Sequence, residues 1–186
     1  MTVLPLRSHR LPPPDPIPVP TVLAAVRAGH PEALAKLYHE HAPAMLTLAY
    51  RLTASRDDAE DVVHDVFVGL PEALARYEER GQLRAWLLRI TTRVALMRGR
   101  RERGRADMAA DHAAPERAER DSVAEARVHR ALLSLSPSLR HVFVLRALYD
   151  HTHAEIASLL GISVSASEVR LHRAVQQLRH LLEDLA

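Results

Sequence analysis

A chain of 186 residues without cysteine has no disulfide framework and no thiolate metal site, and its twelve histidines are scattered rather than set at ligand spacing. Hydrophobic residues make up 47% and aromatics only 4%, a mixture rich in the good helix formers Ala, Leu, Arg and Glu that predicts an all-α fold of two small helical domains. The formal net charge of +2 hides a polarised layout: five acids and no Lys or Arg from Asp57 to Asp65, then ten arginines against three glutamates from Arg76 to Arg105.

Residues 1–20 carry seven of the twelve prolines and read as a non-helical, disordered or polyproline tail. Helical periodicity begins at residue 21. Val22, Ala25 and Val26 predict a short helix ended by Gly29. Pro31 opens the next, with Leu34, Leu37, Tyr38, Met45, Leu48, Ala49 and Leu52 on one face; Pro43 is expected to bend or break it. Ser55 and Asp57 compete to cap a third helix carrying Val62, Val63, Val66, Phe67, Leu70 and Leu74. Gly81 marks a loop, and a fourth helix runs from Leu83 into the arginines. Residues 102–122 lack sustained apolar periodicity and read as a linker, either partly helical or flexible; a flexible chain of that length spans about 25 Å.

A second helical domain follows over 123–186. Thr152-His153-Ala154-Glu155 is a capping box that starts a helix with Ile156, Leu159 and Leu160 inward. Gly161 permits a tight turn, Ile162 plugs the core, and Ser163 or Ser165 caps a second helix. Its expected core face is Val164, Leu171, Ala174, Leu178 and Leu181. Two short helices joined through Gly predict a helix-turn-helix whose second helix enters the major groove. No apolar run reaches the roughly 20 residues that cross a membrane. The Pro-rich start is unlike a secretion signal, so a cytoplasmic protein is expected.

Three constellations carry chemistry. Asp58, Asp61 and Asp65 recur at i, i+3 and i+7 and share a helix face. The helix dipole accounts for acids in the first turn but not for Asp65. Arg89, Arg93, Arg98, Arg100, Arg101, Arg103 and Arg105 suit phosphate neutralisation. Trp86 is expected in the core, a base-stacking platform being the other option. On the last helix Val169 lies roughly 200° from Leu171 and is expected to face outward, where it could meet a thymine methyl, packing against another part of the domain being the other option. Glu168 is expected to close a capping box onto Ser165, a hydrogen bond accepted from cytosine N4 being the other option. No paired carboxylates or activated nucleophile suggest catalysis, so no enzyme and no cofactor is expected.

The segments Asp58 to Phe67, Arg84-Ala85-Trp86-Leu87-Leu88-Arg89-Ile90, Leu135 to Phe143, and Ala154 through Gly161 to Ala174 together resemble the extracytoplasmic-function sigma factors of the bacterial sigma-70 family, over residues 22 to 186. The resemblance implies a region 2 over 21–101. There Asp58, Asp61, Val62, Asp65 and Phe67 would dock on the β′ clamp helices of core RNA polymerase. Tyr77, Arg84, Trp86, Arg89, Arg93, Arg98, Arg100 and Arg101 would melt and read a −10 element. It implies a region 4 over 123–186 that meets the β-flap and reads a −35 element of promoter DNA. Its reading residues would be Ser163, Ser165, Ala166, Glu168, Val169, Arg170, His172 and Arg173. An anti-sigma factor is the regulator implied. The chain departs from the family pattern at Arg93, where Asn is usual, and at Met97, where Asp is usual. It departs again at Ser165-Ala166-Ser167-Glu168-Val169, where Gly-Thr-Val-Lys-Ser is common. Two other readings stay open. A helix-turn-helix regulator leaves Asp58 to Phe67 unexplained. A sigma-like decoy without promoter readout draws on Glu168 and Arg93.

Overall fold

The computed structural model describes residues 19–106 and 123–183, all helix or connecting turn with no strand among them. Four helices form the first half: α1 (Val19–Arg27), α2 (Pro31–Thr53), α3 (Arg56–Leu74) and α4 (Leu83–Ala106). The second half holds α5 (Val123–Ser134), α6 (Pro137–Phe143) continued by a wide π turn over Val144–Leu148, α7 (His153–Leu160) and α8 (Val164–Glu183).

Three expectations change. First, α1 begins at Val19 and takes in Pro20, which the tail reading made non-helical; a first turn tolerates proline because its N–H would be unbonded anyway. Residues 1–18 lie outside the described residues. Second, α2 runs unbroken through Pro43. An interior proline costs about 3 kcal/mol, but Leu37, His41, Ala42, Met45, Leu48, Ala49 and Leu52 are buried on both sides of it, and the ring itself is exposed. Packing along the whole helix outweighs one missing hydrogen bond. Third, the boundary drawn after Arg101 moves: α4 continues to Ala106, so the linker begins as helix, as its partly helical reading allowed; residues 107–122 lie outside the described ones.

One core is made within the first half by Leu23 of α1, Met45 of α2, Val63, Phe67 and Leu70 of α3 and Leu87 of α4. Arg27 ties α1 to the end of α3, its Nε donating to Leu74 O at 3.0 Å and its Nη2 to Tyr77 O at 2.6 Å. The second core does not stop at a domain boundary. Leu48, Leu52, Ala59 and Ala95 of the first half lie in one buried cluster with Leu132, Leu135, Val142, Ile156 and Ala174 of the second.

The start of α7 and the turn that follows it are built as their sequence predicts. The Thr152 hydroxyl accepts from Glu155 N at 3.2 Å, and the Glu155 carboxylate accepts from Thr152 N at 2.8 Å. That N–H, with the Thr152 hydroxyl, holds the Glu155 carboxyl below its ordinary range. Gly161 ends α7 at φ +67°, a left-handed conformation that glycine adopts without strain. Of the two candidate caps, Ser163 is the one used: its Oγ accepts from Ala166 N at 3.1 Å. Val164 is not on the core face but 44% exposed. One turn on, Ser167 is fully buried, at the position where the family it resembles commonly has Val.

Candidate polymerase and nucleic-acid interface

Ser55 caps α3, accepting from Asp58 N at 3.2 Å, and so fixes where the acidic face starts. Asp58, Asp61 and Asp65 do share that face, and Arg98 of α4 reaches all three. Its Nε is 3.3 Å from Asp58 Oδ1, its Nη2 2.5 Å from Asp61 Oδ2 and its Nη1 3.8 Å from Asp65 Oδ2. Arg98, expected on DNA, therefore sits among the acids instead. The Asp61 and Asp65 side chains remain 57% and 58% exposed, so each can still receive a partner's cation. Val62 and Phe67 point inward, at 0% and 6% exposure, and hold the helix rather than present it. Tyr38 covers Phe67 with ring centroids 4.9 Å apart, and Val68 beside them is exposed, which gives the acidic face an apolar flank.

On α4 the residues Arg89, Arg93, Met97 and Arg100 are exposed at i, i+4, i+8 and i+11, one continuous stripe. Arg84 is exposed a turn before it. Arg101 lies within α4, but its side chain is outside the described residues. Trp86 is half-buried against the first core and stands 4.5 Å from the Tyr77 ring. With Arg76, Arg80 and Arg89 the two rings line an open cleft of about 310 Å³. Tyr77 itself is a core residue at 9% exposure, so Trp86 is the more exposed of the two rings that line the cleft. Burial, and after it the Glu79 carboxylate, push its phenol above the ordinary value.

On α8 the residues Ser163, Ser165, Glu168, Val169, His172 and Arg173 are exposed, while Ala166 and Arg170 are half-buried. Val169 faces outward as expected, 46% exposed. Glu168 does not close a capping box. With Ser163 as the cap, the N3 residue is Ala166, and Glu168 lies in the second turn, out of reach of the free N–H groups. Its carboxylate is exposed on the outer face of α8.

The Ser167 hydroxyl, buried on the other side of α8, is 2.9 Å from His153 Nδ1 at the start of α7. This bond joins the two helices of the motif where apolar contact was expected. The core spacing Ser167, Leu171, Ala174, Leu178 could have placed Ser167 inward; its partner had no sequence signal. His153→Ala is expected to cost about 1–3 kcal/mol, because it leaves a buried hydroxyl without a partner. Ser167→Ala is expected to cost about 1 kcal/mol, since His153 is half-exposed and can turn to water. Denaturant melts of both variants check the order, and equal losses would rule it out.

Among the described residues no cluster of His, Asp and Glu could hold a metal, and no helix is long and apolar enough to cross a membrane. An acidic helix face, an arginine stripe beside an aromatic cleft, and a capped helix-turn-helix define a two-part, all-α nucleic-acid-binding protein. Residues 37–105 match the family model of sigma-70 region 2, and residues 125–178 that of sigma-70 region 4. The chain is 33% identical over 178 residues to RNA polymerase sigma factor CnrH of Cupriavidus metallidurans, covering 87% of this chain and 93% of that one. It is 34% identical over 157 residues to the ECF RNA polymerase sigma factor SigE of Mycolicibacterium smegmatis, covering 79% of this chain but only 60% of that relative. Among solved structures it is similar to the sigma factor RpoE of Bartonella quintana, in complex with the anti-sigma factor NepR. That match has a TM-score of 0.60 and 25% identity, over 80% of this chain and 96% of that one. CnrH in complex with the cytosolic domain of CnrY gives a TM-score of 0.52 and 28% identity over 89% and 97%. The chain belongs to the extracytoplasmic-function branch of the sigma-70 family, the promoter-directing sigma factors of RNA polymerase.

Proposed function

We propose that this chain binds core RNA polymerase through Asp58, Asp61 and Asp65 of α3. In this reading α4 opens and reads a −10 element with Arg84, Arg89 and Arg93 beside the Trp86 cleft, and α8 reads a −35 element. Region 2 spans 21–101 and region 4 spans 123–186. The observation that carries the reading is the separation of two exposed faces of opposite charge, with Asp61 and Asp65 on one and the stripe from Arg89 to Arg100 on the other. The acidic face repels DNA and suits a basic protein surface, and the arginine face suits phosphate. The protein acts by binding alone, without a cofactor, and an anti-sigma factor is its regulatory partner.

The test is run-off transcription with core polymerase from a promoter library. Arg93 is exposed on the stripe, can stack on a base and donates hydrogen bonds, but cannot accept them. Arg93→Asn restores an acceptor and is expected to shift the preferred −10 base. An unchanged preference removes Arg93 from the reading pocket, and no promoter-dependent transcript at all sinks the reading.

Glu168 supplies a second test. As it caps nothing, its replacement breaks no cap hydrogen bond. Glu168→Lys is expected to raise DNA affinity and steepen its salt dependence by roughly one unit, because the new ammonium neutralises one more phosphate. A filter-binding titration at several salt concentrations reads this directly. No change in slope would mean that this turn of α8 does not approach the backbone.

A further inference from the structure

Glycine is the poorest helix former after proline, because it loses the most backbone freedom on folding. Inside a helix it serves where the backbone needs a positive φ, or where another group must come close. Gly69 sits in the body of α3, four residues after Asp65, and is exposed. Its φ is helical; the positive values among the glycines belong to Gly29, Gly81 and Gly161. Beyond its chain neighbours and its own helical backbone, a Cβ here would meet no described atom within 4 Å. Neither backbone geometry nor packing within the chain calls for glycine, and alanine would fit at a gain in stability. Gly99 of α4 has the same helical φ and the same open space, but is half-buried. What sets Gly69 apart is the face it lies on.

At about 100° per residue, Asp58, Asp61, Asp65, Val68, Gly69 and Glu72 fall within one arc of about 100° on α3. The stripe they make is about 21 Å long at roughly 1.5 Å per residue. Val68, at 68%, is the most exposed large apolar side chain among the described residues. Asp61, Asp65 and Glu72 are exposed around it. Gly69 is a notch in this acidic and apolar stripe. A straight stripe of such length suits a helix laid along α3, and the side chains at the contact set the distance between helix axes, about 8–10 Å. With no side chain at Gly69, the axes can approach to the near end of that range. We infer that Gly69 is the point of closest approach for a basic helix of core polymerase, and that the docking surface runs about two turns past Asp65 to Val68, Gly69 and Glu72. The inference rests on the function proposed above. It adds a steric condition to an electrostatic one: the acids attract any cation, whereas the notch admits only a partner that brings its backbone close.

The test uses the full chain with purified core polymerase, and it reads stability and affinity moving in opposite directions. Gly69→Ala is expected to raise the melting temperature of the free protein by about 2–4 °C, because alanine favours helix and meets no neighbour. The same variant is expected to weaken polymerase binding about tenfold in an equilibrium titration, because the added methyl overfills the contact. Gly69→Leu keeps a good helix former and is expected to weaken binding at least about a hundredfold, with helical content unchanged. A glycine that serves the fold would instead lower stability and affinity together on replacement, and that result overturns the inference. Undiminished affinity in both variants overturns it as well. If Asp61→Lys with Asp65→Lys abolishes binding in the same titration, the acidic docking face stands without the notch. A wild-type chain that fails to bind core polymerase at all overturns the docking function and the notch together.

Discussion

Asp61→Lys combined with Asp65→Lys is expected to abolish association with core polymerase. Both carboxylates lie on the exposed face of α3, away from the core that Val62, Val63 and Val66 make, so reversal leaves the fold intact. Truncating one side of a desolvated charge pair costs about 2–5 kcal/mol. Reversing two charges adds repulsion to that, so a loss of at least roughly a thousandfold is expected, with the helical signal unchanged. Arg98→Ala separates two roles. Arg98 draws on the same carboxylates, and exposed pairs of this kind are worth about 0–1 kcal/mol. If it competes with the partner, its removal tightens polymerase binding a few-fold; if it presets the acids, removal weakens binding by as much. Pull-down with purified core polymerase measures both, and undiminished capture by the double-reversal variant would end the assignment.

Much of this organisation is legible in residue order because local chemistry decides it. The capping box at Thr152 and Glu155, the left-handed Gly161 and the outward Val169 each follow from a spacing of a few residues. The acidic face is legible for the same reason, as i, i+3 and i+7 positions meet on any helix. What stays hidden depends on distant partners. Pro43 reads as a break because its missing hydrogen bond is local and the packing that overrides it is not. Arg98 reads as one more arginine in a basic run, and only the crossing of α4 over α3 turns it toward the acids. Glu168 reads as a cap because Ser165 and Ser163 are chemically equivalent candidates two residues apart. The docking of region 4 on region 2 has no local signature: apolar residues such as Leu48 and Leu135 mark a core without saying with what.

Arg140 is the residue through which that hidden layer is most exposed to test, and Arg140→Met is expected to cost about 3 kcal/mol or more. The side chain is 5% exposed. Its Nη1 donates to Leu133 O at 3.2 Å and to Leu135 O at 3.0 Å, and its Nη2 to Leu52 O at 3.3 Å. Leu52 lies in the last turn of α2, and Leu133 and Leu135 at the end of α5, where carbonyls have no partner within their own helix. One planar guanidinium thus caps two helix ends from opposite halves of the molecule, where the helix dipoles also favour a cation. Methionine fills a similar volume but donates nothing, leaving the Leu133 and Leu135 carbonyls without their donor at roughly 1–3 kcal/mol each before relaxation, while Leu52 O keeps His141 Nε2 at 3.0 Å. Arg140→Lys keeps the charge, yet a single ammonium lacks the fork that spans three acceptors, so it should recover less than half of the loss. The cost should fall mainly on region 4, because two of the three carbonyls belong to it and region 2 retains its own core around Met45 and Leu70. Denaturant unfolding followed by Trp86 fluorescence, which reports region 2, and by total helicity, which reports both halves, is expected to separate into two transitions in Arg140→Met. A single transition shifted by less than about 1 kcal/mol would mean that water satisfies these carbonyls, and that Arg140 does not join the two halves.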